Sequence, residues 1–187
     1  DRRRWAELMR WGLIPSWADD PQVGARLINA RAETVADKPA FRGPFRRSRC
    51  VIPADGFYEW HGDAGGRKQP YYIRRADGRA LVFAGLWDEW SPPDGEPVRT
   101  CIIITVDAAA AVAQLHPRMP AMISPQQAEP WLDLSAEPER LGAVLGAPEA
   151  GELTFHAVSA KVNSPVHDAP DCIEPAESDR PRQGRLF

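Results

Sequence analysis

The feature that most constrains this chain is its succession of short strand-like runs, each cut off within a few residues by glycine or proline. Residues 5–13 read as a strand of mixed polarity that Pro15 ends. An apolar run begins at 49–52 and meets Pro53, and the aromatic-rich segment 56–60 follows. Gly62, Gly65 and Gly66 mark a hairpin turn within 61–69. Strands are expected at 71–75 and 81–87, with the tight turn Ala76-Asp77-Gly78 between them. Residues 99–106 hold Cys101-Ile102-Ile103-Ile104, the pattern of a buried strand, and 154–159 alternate like another. Segments 19–24 and 91–97 read as polar loops, and 27–34 as short and mixed.

Helices are expected only late in the chain. Asp107 is placed to cap an alanine-rich stretch running to Leu115. Ser124-Pro125 opens a second helix, with Ser as cap and Pro in the first turn. A third is expected over 137–145, and the residues from about 176 to 187 read as a loose tail. Many short strands and few helices give an α+β fold: a curved, largely antiparallel, barrel-like sheet with a few peripheral helices. With 187 residues, no repeats and no linker, one domain is expected.

Composition then limits the function. A 43% hydrophobic and 26% charged chain is that of a soluble globular protein, and no apolar run approaches the roughly 20 residues that span a bilayer. The net charge of -3 argues weakly against nucleic acid, but the charges are segregated. Arg2, Arg3, Arg4, Arg10, Arg26, Arg31, Arg42, Arg46, Arg47 and Arg49 crowd the first third, whereas Glu129, Asp133, Glu137, Glu139, Glu149 and Glu152 lie late. Either one face is basic or the surface is ordinarily solvated. Cys50, Cys101 and Cys172 are odd in number, far apart and free of C-x-x-C spacing. Neither a disulfide framework nor a zinc site is expected, no cofactor is implied, and a reducing, cytoplasmic setting fits.

Four motifs carry the chemistry: W-G-L-I-P-S-W at 11–17, I-N-A-R-A-E-T at 28–34, P-A-D-G-F-Y-E-W at 53–60 and L-H-P-R-M-P at 115–120. Trp17, in a loop entry beside Pro15, is either a core or lid residue or a platform on which a base stacks. Asn29 and Arg31 are two apart and share a face of a strand. They can hold a phosphate or sugar, or simply serve as surface hydrogen-bonding groups. Glu59 lies between Tyr58 and Trp60; it is either a partly desolvated carboxyl suited to proton transfer or a strand residue facing solvent. His116, at a rigid turn before Pro117, is poised to titrate near neutral pH or is structural. Arg118 addresses phosphate or caps the turn. No phosphate-binding glycine loop, G-x-S-x-G or H-E-x-x-H is present.

Taken in order, the four motifs resemble the SRAP family (SOS response-associated peptidase), sensors of abasic sites in single-stranded DNA, over residues 5–174. Residues 154–159 and Val162-Asn163 resemble that family's last strand and following turn. The resemblance implies capture of an abasic site through an N-terminal cysteine, whose amine forms a Schiff base and whose thiol closes a thiazolidine. That cysteine follows the initiating Met of the family pattern Met-Cys-Gly-Arg, which the 187 residues do not contain. Cys50 is not its substitute, because an internal cysteine has no free α-amine. The resemblance further assigns Asn29 to positioning the sugar or nucleophile, Glu59 to the α-amine, and His116 to opening the deoxyribose ring as general acid or base. It sets Arg31 and Arg118 near the DNA backbone and Trp17 near the lesion. The implied partner is single-stranded DNA containing abasic sites, with no membrane and a monomer favoured. An autopeptidase that removes the initiating Met, or a non-catalytic single-strand-binding module, are the other readings.

Overall fold

The computed structural model describes residues 4–62, 66, 68–137, 141–146 and 152–176. The chain divides into two compact units. The first comprises Asp1–Pro53, Val82–Val106 and Met119–Ala147; the second comprises Ala54–Leu81, Asp107–Arg118 and Pro148–Phe187.

The first unit is built on β7 (Val98–Asp107), whose even positions from Thr100 to Val106 are buried while the odd ones are half-covered. This is period-2 alternation rather than burial on both faces. β6 (Leu81–Trp90) runs antiparallel to it, with Gly85 opposite Ile103, and β3 (Arg49–Ala54) lies beyond β6. β1 (Arg10–Trp11) and β2 (Asn29–Arg31) pair parallel with β7, and the short β8 (Arg118–Pro120) also pairs with it. α1 (Pro39–Arg47) and α3 (Pro125–Leu132) bury Phe41, Phe45 and Trp131. α3 starts as expected, with a full capping box between Ser124 and Gln127.

The second unit is a three-stranded antiparallel sheet in the order β4 (Phe57–Gly62), β5 (Lys68–Arg75), β9 (Leu153–Ala157). Glu59 stands opposite Tyr71, and Tyr71 opposite Ala157. α2 (Ala110–Ala113) is a single turn, and 3-10 turns occupy Ala160–Asn163 and Pro170–Ile173. Ile73 and Val112 are fully buried here. The α+β class, with a curved, largely antiparallel sheet arrangement and few helices, is the class of this chain.

Several local expectations are corrected. The strand expected over 5–13 is only two residues long, because Gly12 turns the chain at φ +112°. The loop expected at 19–24 contains the 3-10 turn Pro21–Arg26, capped by the Asp20 side chain. Helix α1 was hidden by Pro44 inside it and by the lack of a capping side chain at Lys38. Pro53 does not end its strand; β3 runs through it. Asp107 ends β7 and pairs with Arg118, and α2 begins at Ala110 with Ala109 in the cap position. β5 and β6 flank the turn at 76–78 but join different sheets. Part of the glycine-rich turn, part of the third helix expected at 137–145, and the tail beyond Ala176 lie outside the described residues.

Candidate functional site

In the first unit, the W-G-L-I-P-S-W motif folds into a pinned loop. Gly12 and Gly24 lie back to back: a Cβ on Gly12 would stand 2.7 Å from the Gly24 carbonyl oxygen. Leu13 N–H donates to Leu27 O, and the buried Ile14 N–H donates to Thr100 Oγ1, both at 2.9 Å. Downstream, Ser16 N–H donates to Asp88 Oδ2 at 2.9 Å and Trp90 Nε1–H to Ala18 O at 2.7 Å. Trp17 sits between these two anchors and is 64% exposed. It is neither core nor covered. It edges a concavity of about 390 Å³ whose lining includes Arg42, Arg46, Arg47 and Asp88. The three arginines come from α1, so the missed helix concealed their clustering on one concave surface.

On β2 the alternation is clear: Ala30 is 2% exposed, while Asn29 and Arg31 project together to solvent. Parallel pairing with β7 at Ile103 and Thr105 fixes their position.

In the second unit the structure brings Glu59 and His116 together. Glu59 Oε1 lies 3.6 Å from His116 Nδ1. This is ion-pair distance, longer than a hydrogen bond. Glu59 is half-buried, and burial pushes its carboxyl above the ordinary carboxylate range. The facing His116 and a hydrogen bond from the Trp60 backbone only partly offset this. The flanking aromatics are not on its face. Tyr58 and Trp60 point to the opposite side of β4, where the Tyr58 ring packs 5.4 Å from Tyr72 and Trp60 Nε1–H donates to Asn163 Oδ1 at 2.7 Å. Register instead sets Tyr71 beside Glu59, stacked edge-on with Phe155 at 5.8 Å.

His116 has a Nδ1 partner in either protonation state. Protonated, Nδ1 donates to Arg118 O at 2.9 Å; unprotonated, it accepts from Arg118 N–H at 3.2 Å. The turn thus holds the ring in place whether or not that atom carries a proton. Arg118 itself binds Asp107 Oδ1 through Nη1 at 2.7 Å, and Asp107 is 90% exposed, so the pair opens to solvent.

Burial disfavours the Cys50 thiolate, pushing the thiol up to about 12, and Cys101 is also raised by desolvation.

Comparison with known proteins places these motifs. Residues 1–165 match the family described as SOS response associated peptidase (SRAP). Abasic site processing protein YoqW of Bacillus subtilis is 40% identical over 167 residues, covering 89% of this chain and 75% of that protein. Abasic site processing protein HMCES of Gallus gallus is 41% identical over 199 residues, covering 94% of this chain and 59% of that protein. A crystal structure of a Bacteroides thetaiotaomicron protein superposes with a TM-score of 0.81 at 30% identity, over 90% of this chain and 75% of that one. Among the described residues no helix is long and apolar enough to cross a membrane.

Proposed function

Because the chain belongs to the SRAP family, we propose that it processes abasic sites in single-stranded DNA, with Glu59 and His116 as its proton carriers. The observation that carries this reading is the 3.6 Å pairing of a half-buried carboxyl with an imidazole held in either protonation state.

The chemistry requires such a pair. The open-chain form of an abasic sugar is an aldehyde at C1′. An N-terminal cysteine, joined ahead of Asp1, supplies an amine and a thiol on adjacent carbons. The amine adds to C1′, the resulting hydroxyl leaves as water, and the thiol closes on the imine carbon. The sum is an aldehyde and an aminothiol giving a thiazolidine and one water. Glu59 accepts a proton from the α-ammonium, for which a raised carboxyl is well matched. His116 protonates the ring oxygen as the deoxyribose opens. Asn29 positions the sugar or nucleophile.

Single-strand recognition rests on the first unit's own surface. Trp17 offers a rigid exposed ring for stacking, and Arg42, Arg46 and Arg47 line the adjoining concavity, suited to phosphates. Arg31 and Arg118 serve the DNA backbone, with Arg118 exchanging Asp107 for phosphate.

The test is a denaturing gel with labelled abasic oligonucleotide. The protein carrying an N-terminal cysteine is expected to give a heat-stable adduct that survives Cys50→Ser and is lost when the N-terminal cysteine becomes Ser. The 187 residues beginning at Asp1 should retain the oligonucleotide without a stable adduct. An adduct from the latter that disappears in Cys50→Ser overturns the reading. A cleaved peptide with no DNA adduct assigns the pair to autoproteolysis instead.

A further inference from the structure

The 3-10 turn Pro170–Ile173 is fastened to its own unit at several points. Tyr58 Oη–H donates to Cys172 O at 3.3 Å, His156 Nε2 meets Ile173 O at 2.8 Å, and Ala176 N–H donates to Ala157 O at 2.8 Å. This frame draws together three side chains whose sequence spacing, H-x3-D-C, matches no common zinc motif. His167 and Asp171 stand four residues apart, with Nε2 and Oδ1 at 2.7 Å. Cys172 Sγ lies 3.5 Å from His167 O. One ligand atom from each of the three residues falls within 4.8 Å of the other two, and all three are half-buried.

We propose that His167, Asp171 and Cys172 form a binding site for a divalent transition-metal ion, zinc above all. The donor set decides the class. Imidazole nitrogen, thiolate sulfur and carboxylate oxygen together suit zinc and its neighbours, whereas magnesium and calcium require oxygen throughout. Three protein ligands leave a fourth position for water or an external donor. Ligands at about 2.0–2.3 Å from a tetrahedral ion stand about 3.3–3.8 Å apart, so Nε2 and Oδ1 must separate by about 0.6–0.8 Å and the widest pair close by about 1 Å. Side-chain rotations supply these shifts without moving the anchored backbone. On binding, the His167–Asp171 hydrogen bond is exchanged for two metal bonds, and Cys172 releases its proton.

Lys161 gives the proposal a sign that can be checked. Its Nζ lies 2.9 Å from Asp171 Oδ2, the oxygen turned away from His167. It orients the carboxylate, but its charge opposes an incoming cation. Lys161→Met should therefore tighten binding, by about tenfold at low salt.

The experiment is a titration of the metal-free chain with cobalt(II), followed by absorbance, with zinc added last. One equivalent is expected to produce a thiolate-to-cobalt charge-transfer band and tetrahedral visible bands, all erased by zinc. Cys172→Ser should abolish the charge-transfer band. His167→Ala and Asp171→Asn should weaken binding about tenfold or more. Cys50→Ser and Cys101→Ser should change nothing. Circular dichroism in chelator checks that each variant folds. If Cys172→Ser fails that check, the opposite signs expected for Asp171→Asn and Lys161→Met decide. No band in the parent, a band that persists in folded Cys172→Ser, or unchanged affinity in both Asp171→Asn and Lys161→Met overturns the proposal.

Discussion

Arg49 should be a costly side chain to remove from the first unit. It is 5% exposed. Its fork donates to three backbone carbonyls at short distance: Phe45 O and Trp131 O at 2.6 Å, and Asp133 O at 2.5 Å. The guanidinium also lies 5.7 Å from the Trp131 ring centroid. These acceptors belong to the end regions of α1 and α3, where helix carbonyls lack intrahelical donors. Arg49→Met keeps the length but takes this donor from the Phe45 and Trp131 carbonyls, at about 1–3 kcal/mol each, while Asp133 O keeps its bond from Ala136 N–H at 2.9 Å. Against this stands the desolvation that lowers Arg49's own pKa, a cost the methionine escapes. The net expectation is a loss of about 2–4 kcal/mol, which for this chain length lowers the melting midpoint by about 4–16 °C. Arg49→Lys keeps the charge but cannot make the fork, and should lose about 2 kcal/mol or more. Exposed Arg47→Met should stay within about 0.5 kcal/mol. The assay is urea denaturation read by tryptophan fluorescence. An Arg49→Met loss below about 1 kcal/mol would mean that the carbonyls find other donors, and would refute the reasoning.

Three further outcomes follow from the same structure. Glu59 has a folded-state pKa raised by burial, so its contribution to stability is fully present below the ordinary carboxylate pKa and is lost as pH rises through the raised value. Glu59→Gln should therefore become progressively more stable than the parent across that window; parallel stability curves from acid to neutral pH would contradict this. Trp17→Ala should weaken single-stranded DNA binding by about 1–3 kcal/mol in fluorescence anisotropy, with the melting midpoint little changed because the ring is 64% exposed. Arg31→Ala should lower the slope of log affinity against log salt by about one, and an unchanged slope would remove Arg31 from the phosphate contacts.

What could be read from sequence divides by physical range. The strand at β7, read from the apolar run Cys101-Ile102-Ile103-Ile104, and the Ser124 cap followed by Pro125 are local signals, and both were legible. The four motifs, in order, were enough to identify the family. Helix α1 was missed because its signal, Phe41 and Phe45 one turn apart, is overlaid by Pro39 and Pro44. That omission also hid the grouping of Arg42, Arg46 and Arg47 around Trp17. For Glu59, the sequence offered aromatic neighbours as the cause of desolvation. Strand alternation turns Tyr58 and Trp60 to the far side, and the burial comes from the face it shares with Tyr71. Its approach to His116, 57 positions later in the chain, is long-range information that no local pattern carries. The His167–Asp171–Cys172 cluster was invisible for a related reason: it depends on a 3-10 turn that brings Cys172 back toward His167.

The most direct test of the central claim is a double-mutant cycle on the single-turnover rate of adduct formation. The four proteins are the N-terminal-cysteine parent, Glu59→Gln, His116→Ala and the double variant, reacted with abasic single-stranded DNA. If the two groups hand protons within one reaction, each single variant should slow capture by about 10²–10⁴-fold with DNA affinity nearly unchanged. The double variant should be little slower than the worse single, because groups that act as a unit are not additive. Rates equal to the parent's in both single variants, or losses that multiply fully in the double, would contradict the assignment of Glu59 and His116 as one proton-transferring pair.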